Sequence, residues 1–355
     1  MLPSLSSLVA VSWWCAMPIS RWSRALLLAG VGAVAGFGVA SGASARLDAT
    51  ADSYAFGGRI IPADGGTLAG VRVIAIDANG SAEALVDSSG LFVGAFPSPP
   101  VGRIVLRVLS DSSGPAAGRY HPSTVEIPRG VSTTSARIVL IPVRWRVRGG
   151  VFDGREVRID PAEAVSRSSE GSGYWRVTRR GRFGGLPVSW MPDSFPIRVA
   201  FRHDRGDPAV SREDSLAFWR IASGVERLIG RPLFRAASSA EIDGGADGIL
   251  VTVQRGMAPA GRTFITYDQT GRIFEALVTV SRREFLGDSR IAAHELMHAL
   301  GLGHTRGWQS VMAPSTGSND VPSVDDIAYA QLYYAIADLQ RQREAPFGIL
   351  EATLR

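Results

Sequence analysis

Short apolar runs alternate with turn residues through residues 50–142 of the chain. In the run VRVIAID, alternation places Val71, Val73 and Ala75 on one face of a strand and the intervening residues on the other. Six such runs follow one another at intervals of about ten residues. This spacing predicts an all-β sandwich domain over residues 50–142.

The next region, residues 143–185, is strand-like and rich in arginine. In VRWRVRGG, the arginines Arg144, Arg146 and Arg148 share one face, and the apolar residues share the other. This face is interpreted either as a solvated strand surface or as an anion-binding one. The later stretch SRSSEGSG is typical of a flexible loop or a cleavable linker.

From residue 186 onwards, segments with the apolar period of a helix occur among candidate strands. The candidate strands are FPIRVAF, DGILVTVQ and IFEALVTVS. A first helix is predicted to begin at Ser211, with Asp214 completing a capping box, and to end at Gly230. Its apolar stripe comprises Leu216, Trp219, Ala222, Val225 and Leu228. Two further helices are predicted over residues 288–300 and from Ser323. The pattern predicts an α+β domain over residues 186–345 with a sheet and three main helices.

The N-terminal 45 residues have the organisation of an export signal. Arg21 and Arg24 precede an apolar run over residues 25–40, and Ala43 and Ala45 frame a small-x-small cleavage site. Cleavage after Ala45 would direct the protein to the periplasm or the outside of the cell. The alternative is an uncleaved membrane anchor, but sixteen apolar residues are short for a membrane span. After cleavage, no membrane span is expected in the mature protein.

The positive charge of the chain comes from arginine alone, since no lysine occurs, and the Ala, Gly and Arg content is typical of a bacterial protein. The formal net charge is +5, and removal of Arg21 and Arg24 lowers it by two, to +3. A charge this small does not indicate a nucleic-acid partner. The single cysteine, Cys15, excludes a disulfide within the chain. The sequence does not indicate an oligomeric state.

Three of the five histidines, His294, His298 and His304, lie within eleven residues. Residues four apart on a helix share a face, so His294 and His298 can hold one metal ion with Glu295 beside it. Gly301 can adopt a positive φ, end the helix and turn the chain so that His304 becomes a third ligand. Three imidazoles with one open position are typical of a catalytic zinc ion.

The stretch HELMHALGLGH completes the pattern HExxHxxGxxH and resembles the metzincin metalloproteases. SVMAP places Met312 where those enzymes have a methionine turn, and SVDDIAYAQLYY is similar to the last helix of the matrixin type. The resemblance spans residues 186–343 and implies a zincin-like fold, one zinc ion on the three histidines, Glu295 as general base and Met312 below the metal.

A second, looser resemblance concerns the N-terminal half. The pattern LAGVRVIAID…VDSSGLFVGAFP is similar to carboxypeptidase-regulatory-like or transthyretin-like β-sandwich domains. Domains of that kind are accessory modules and imply no chemistry.

The chain also departs from the matrixin pattern. A mature chain without cysteine excludes latency through a cysteine ligand. His121 and His203 are interpreted as packing or surface residues rather than as a second zinc site, and Pro314 replaces a possible tyrosine ligand. Calcium is possible at Asp243 and Asp247, although an acidic, glycine-rich stretch of this kind is more often a turn.

The sequence therefore predicts an exported zinc endopeptidase that acts on proteins or peptides. In this hypothesis, the strand IFEALVTV is the edge that binds extended substrate, and residues 313–322 line the specificity pocket. Two alternatives stay open: an exported adhesion or binding protein with a degenerate zincin domain, and a zincin hydrolase that acts on a non-protein, cell-wall substrate.

Overall fold

A computed structural model describes nine segments of the chain: residues 9–11, 54–110, 114–127, 136–160, 188–203, 206–268, 271–305, 309–314 and 319–341. Apart from strand β1 (Val9–Val11), the predicted signal lies outside these residues, as does the stretch SRSSEGSG. None of the helices in the described segments combines the length and apolarity needed to cross a bilayer.

The described residues between 54 and 140 form seven strands in two sheets. They are β2 (Tyr54–Pro62), β3 (Val71–Ile76), β4 (Ser81–Leu85), β5 (Leu91–Phe96), β6 (Ile104–Ser110), β7 (Ser123–Ile127) and β8 (Ala136–Leu140). One sheet has the order β5-β2-β8 and the other β4-β3-β6-β7.

The two sheets share one hydrophobic core, in which Phe56 and Phe92 are fully enclosed. Val71, Val73 and Ala75 face this core, as the alternation predicts. Strand β4 was not predicted, because SAEAL buries only Ala84 and therefore carries almost no apolar signal.

A hairpin of β9 (Arg144–Arg146) and β10 (Glu156–Arg158) follows the two sheets. The predicted alternation holds, since the two arginines of β9 are exposed and Trp145 is only 4% exposed. Trp145 and Val147 lie in the same hydrophobic core as the helices of the C-terminal half. The hairpin is therefore packed into that core rather than free of it.

The described residues of the C-terminal half form five strands, four α-helices and two short 3-10 helices. The strands are β11 (Ile197–Phe201), β12 (Phe234–Ala236), β13 (Gly248–Val253), β14 (Gly261–Tyr267) and β15 (Ile273–Val280). The α-helices are α1 (Arg212–Ile229), α2 (Ser239–Asp243), α3 (Ser289–Ala299) and α4 (Val324–Arg341). The 3-10 helices are Pro192–Ser194 and Arg283–Leu286. The predicted α+β organisation is confirmed.

The strands form one sheet in the order β1-β14-β15-β13-β11-β12. Strands β12, β11, β13 and β15 are parallel, whereas β14 runs antiparallel to β15. Every residue of β13 is buried, as expected for a parallel strand covered on both faces.

The prediction that IFEALVTV forms the edge of the sheet is wrong. This segment is β15, which hydrogen-bonds to β13 on one side and to β14 on the other. The position outside it belongs to β14, whose far side pairs with β1 in the register Val9 to Tyr267 and Val11 to Ile265.

Helix α1 begins as predicted, with Ser211 and Asp214 in a reciprocal capping box. Its buried face is rotated from the predicted stripe. Phe218 lies at its centre with Ala222 and Val225, whereas Leu216 is 50% exposed. The rotation follows from packing, because Phe218 meets Phe201 of the sheet edge-on.

Candidate metal centre

Helix α3 carries the first two predicted ligands and ends in a sharp turn. Asp288 caps its N-terminus by accepting a hydrogen bond from the Arg290 amide at 3.0 Å. After the helix, Gly301 has a φ of 94° and donates to the His298 carbonyl at 2.7 Å. A side chain at this φ would be strained, so glycine allows the chain to reverse towards His304.

The three histidines converge through their Nε2 atoms. The Nε2 of His298 lies 2.9 Å from that of His294 and 3.2 Å from that of His304, and the third distance is 3.3 Å. Nitrogens bound tetrahedrally to zinc at 2.0–2.1 Å are about 3.3 Å apart. The spacing therefore fits one zinc ion. Within the described part of the chain, these three histidines form a group that could hold a metal ion.

Backbone carbonyls orient two of the rings. The Nδ1 of His294 donates to the Val311 carbonyl, and the Nδ1 of His298 to the Leu302 carbonyl, both at 2.6 Å. A carbonyl can only accept, so Nδ1 carries the proton and Nε2 presents its lone pair to the centre. Two of the predicted ligands therefore have the tautomer that metal binding requires.

Burial also keeps the rings neutral. It lowers the pKa of His294, lowers that of His298 well below the ordinary range with help from the neighbouring imidazoles, and lowers the pKa of His304 to about 4. Neutral imidazole nitrogens suit zinc rather than calcium, which takes oxygen ligands.

Glu295 points from α3 towards strand β14 and is 5% exposed. Burial raises the pKa of its carboxyl to about 7, against the lowering effects of a hydrogen bond from Thr263 and of the charge of Arg262. The Thr263 hydroxyl donates to the Oε2 of Glu295 at 2.6 Å. The carboxylate thus lies next to the histidines without being one of the converging groups.

Met312 is fully buried in a turn that follows the histidines. Its amide donates to the Ser310 hydroxyl at 2.9 Å, and its carbonyl accepts from the Thr305 amide at 3.0 Å. The Ser310 hydroxyl in turn donates to Asp326, a buried residue of α4. Helix α4 therefore holds the turn that supplies the carbonyl partner of His294.

The remaining predicted residues lie elsewhere. His121 contacts the Ile159 carbonyl through Nε2 at 2.9 Å, and exposed His203 contacts the Asp207 carbonyl. At the acidic stretch considered for calcium, the carboxylate of Asp243 lies 3.8 Å from Arg202 and that of Asp247 2.5 Å from Arg272. Each of the two carboxylates thus has an arginine as its neighbour, and calcium at this stretch stays a prediction.

This geometry and a family comparison define the class of the C-terminal half: it contains a zinc metallopeptidase domain. Residues 252–335, about a quarter of the chain, match the model of the matrixin family. The matched part runs from β13 to α4 and includes all three histidines, which confirms the resemblance predicted from HExxHxxGxxH. The extension to residues 186–251 and the second resemblance of the N-terminal half stay predictions. No curated protein matches the chain.

Sequence reasoning missed the partners of the site residues. Thr263, Ser310 and the carbonyl of Val311 contact other residues of the site. Thr263 lies in neither quoted motif, and Ser310 and Val311 lie in SVMAP, where only Met312 was assigned a role. Thr263 is 32 positions from Glu295 along the chain. Its segment GRTFITY has no sequence feature that indicates a functional site. The contact of Thr263 with Glu295 follows only from the order of the strands in the sheet.

Proposed function

We propose that the protein is an exported zinc endopeptidase. The observation that carries this proposal is the meeting of three Nε2 atoms within 3.3 Å of one another, with a buried carboxylate on the same helix. In this hypothesis, His294, His298 and His304 hold one zinc ion. A zinc ion held there supplies Lewis acidity, which acidifies water and polarises the scissile carbonyl.

Glu295 acts as the general base in this proposal. Its carboxylate takes a proton from water while the water oxygen adds to the carbonyl carbon of the substrate. The same proton passes to the amine nitrogen as the C–N bond breaks, and the carboxylate is regenerated. Water and a peptide bond thus give a carboxylic acid and an amine.

Strand β14 is proposed to bind the substrate backbone in place of the wrongly predicted β15. Its inner side pairs with β15, and its outer side pairs with β1, and the pairing with β1 supports the binding of another antiparallel strand at this edge. Export with cleavage after Ala45 would remove β1 and free the same edge. An extended peptide could then lie along β14 beside Glu295.

The predicted pocket segment, residues 313–322, is only partly described, because residues 315–318 lie outside the described part of the chain. Arg290 of α3 forms an ion pair with Asp320 at 3.3 Å. This contact fixes the far end of the segment to the helix that carries the ligands. It supports a role for the segment beside the substrate.

The test uses zinc-loaded residues 46–355 and a mixed peptide library, with cleavage products identified by mass spectrometry. The matched variant is Glu295→Gln, which keeps the shape of the side chain and the histidines but removes the base. Cleavage within peptides by the wild type alone, abolished by a chelator, supports the proposal. Equal cleavage by both proteins, or none by a wild type with one bound zinc ion, contradicts it.

A further inference from the structure

Strand β14 contacts the general base with a side chain that no motif contains. Thr263 is 3% exposed, and its hydroxyl lies 2.6 Å from the Oε2 of Glu295 and 3.1 Å from the Glu295 backbone carbonyl. A hydroxyl has a single hydrogen, and the shorter of the two contacts is the stronger bond. Oε2 is therefore the carboxylate oxygen with a fixed partner.

Gly261 lies two positions before Thr263 and on the same face of β14. A Cβ atom at this position would lie 2.7 Å from the Cγ and 2.8 Å from the Cδ of Glu295, and closest to Oε1. Both distances are shorter than any ordinary carbon contact. The backbone of Gly261 does not need a positive φ, so the requirement for glycine here comes from space alone.

The two residues thus treat the two carboxylate oxygens differently. Thr263 engages Oε2, whereas the missing side chain of Gly261 leaves the space that Oε1, Cγ and Cδ of Glu295 occupy. A glutamate has three rotatable bonds, and a base is effective only when its oxygen is held at hydrogen-bonding distance from the proton it accepts. One fixed oxygen determines where the other one lies.

We propose that Gly261 and Thr263 are positioning residues for the general base: Thr263 holds Oε2, and Gly261 gives the carboxyl group the space it occupies, so that Oε1 is placed to accept the proton of the attacking water. This inference rests on the proposed function and goes beyond the three ligands and Glu295. The proton taken by Oε1 is the one later given to the leaving amine, so the hydrogen bond to Oε2 persists through the cycle.

The decisive variants change one group at a time. Thr263→Val removes the hydroxyl at nearly constant shape, and Thr263→Ser keeps it. The matched control is Thr252→Val on β13, because Thr252 is 4% exposed and its hydroxyl has no hydrogen-bond partner among the described residues. Gly261→Ala tests the space at Oε1 separately.

For Thr263→Val we expect kcat for peptide cleavage to fall about 10- to 100-fold, the size typical of residues that orient a metal site. KM and zinc stoichiometry should stay within about twofold of the wild type, because both contacts of the Thr263 hydroxyl are with Glu295 rather than with a zinc ligand. Thr263→Ser should recover most of kcat, and Thr252→Val should leave it unchanged. Gly261→Ala should lower kcat while zinc is retained.

A second readout does not depend on turnover. Acetohydroxamic acid chelates zinc and places an acidic hydroxyl near the base, so calorimetry of its binding to the zinc-loaded protein reports the position of Glu295. We expect weaker binding by at least about fivefold for Thr263→Val and none of this loss for Thr252→Val. If the wild type cleaves no peptide, the proposed function fails, and this affinity alone decides the inference.

Three outcomes would overturn the inference. The first is a Thr263→Val variant that keeps the kcat or the hydroxamate affinity of the wild type. The others are a Thr263→Ser variant that does not recover kcat, and a Thr252→Val variant that loses as much as Thr263→Val. The last result would assign the effect to the sheet rather than to Glu295.

Discussion

The side-chain amide of Gln331, on helix α4, hydrogen-bonds to both main-chain polar groups of Arg148, a residue just beyond strand β9. Its Oε1 accepts from the Arg148 amide at 3.0 Å, and its Nε2 donates to the Arg148 carbonyl at 2.7 Å. The same Oε1 accepts from the Trp145 indole at 3.2 Å. The hairpin is therefore fastened to the helix whose first turn, through Asp326, holds the turn of Met312.

Gln331→Ala should destabilise the protein by about 1–3 kcal/mol, because it removes three hydrogen bonds and leaves the partly buried Trp145 indole without its acceptor. Urea denaturation of the full chain measures the change. Gln254→Ala, at an exposed position, is the control and should change stability by less than about 0.5 kcal/mol. Equal values for the two variants would show that the hairpin is not held in this way.

Asp326→Asn should weaken both the fold and the metal site. The buried carboxylate accepts from the Ser310 hydroxyl and from the amide and hydroxyl of Ser323, and an amide cannot replace every acceptor. We expect a loss of about 2–4 kcal/mol in stability and about tenfold weaker zinc binding, measured by competition with a chelator. Asp325→Asn, at the exposed neighbouring position, should leave zinc affinity unchanged.

Gly230→Ala should cost about 3–5 kcal/mol, as measured by urea denaturation. Gly230 ends α1 with a φ of 88°, and a Cβ there would lie 2.8 Å from the Cα of Gly150 in the hairpin. Gly245→Ala separates the two causes, because Gly245 has a φ of 99° but open space around it. It should cost only the backbone strain, about 1–2 kcal/mol. A similar loss in both variants would argue against the close packing of hairpin and helix.

The metal-free protein should lose stability as pH falls below the ordinary histidine pKa of about 6.5. Burial lowers the pKa of His121, His294, His298 and His304, so the unfolded chain binds protons that the folded chain does not. The stability that these neutral histidines contribute is complete above pH 6.5. It is lost as the pH falls towards their pKa values in the folded protein, which is about 4 for His304. Glu295, whose pKa is raised to about 7, has the opposite effect, but it is one group against four.

Urea denaturation in excess chelator between pH 7.5 and 5 measures this dependence. Each proton of difference contributes about 1.4 kcal/mol per pH unit. His298→Gln should flatten the slope, because it removes the ring that burial affects most strongly. A stability that rises on acidification in the unmodified protein would contradict the prediction.

The site was predictable from sequence where its geometry is local. The spacing of His294 and His298 fixes one helix face, and Gly301 permits the reversal that brings in His304, so eleven residues determine the convergence. Thr263 was not predictable, because its contact with Glu295 depends on the order of strands in the sheet.

The fold shows the same division. Alternation correctly predicted the inward face of Trp145, but not its burial against Gln331, 186 positions away. The residues of β15 looked like an edge strand, because a sequence of eight residues does not reveal that strands pair on both sides. Local periodicity determines which face of an element is apolar, whereas the partner of that face depends on the whole chain.

The hydrogen bonds to the Val311 and Leu302 carbonyls have an evolutionary consequence. Every amino acid has a main-chain carbonyl, so no codon change at positions 311 or 302 can delete the acceptors that set the tautomers of His294 and His298. The hydroxyl of Thr263, by contrast, belongs to a side chain and can be lost in one mutational step. Metal affinity should therefore tolerate sequence drift around the ligands better than the catalytic rate does. Inactive descendants of this protein would be expected to keep their zinc.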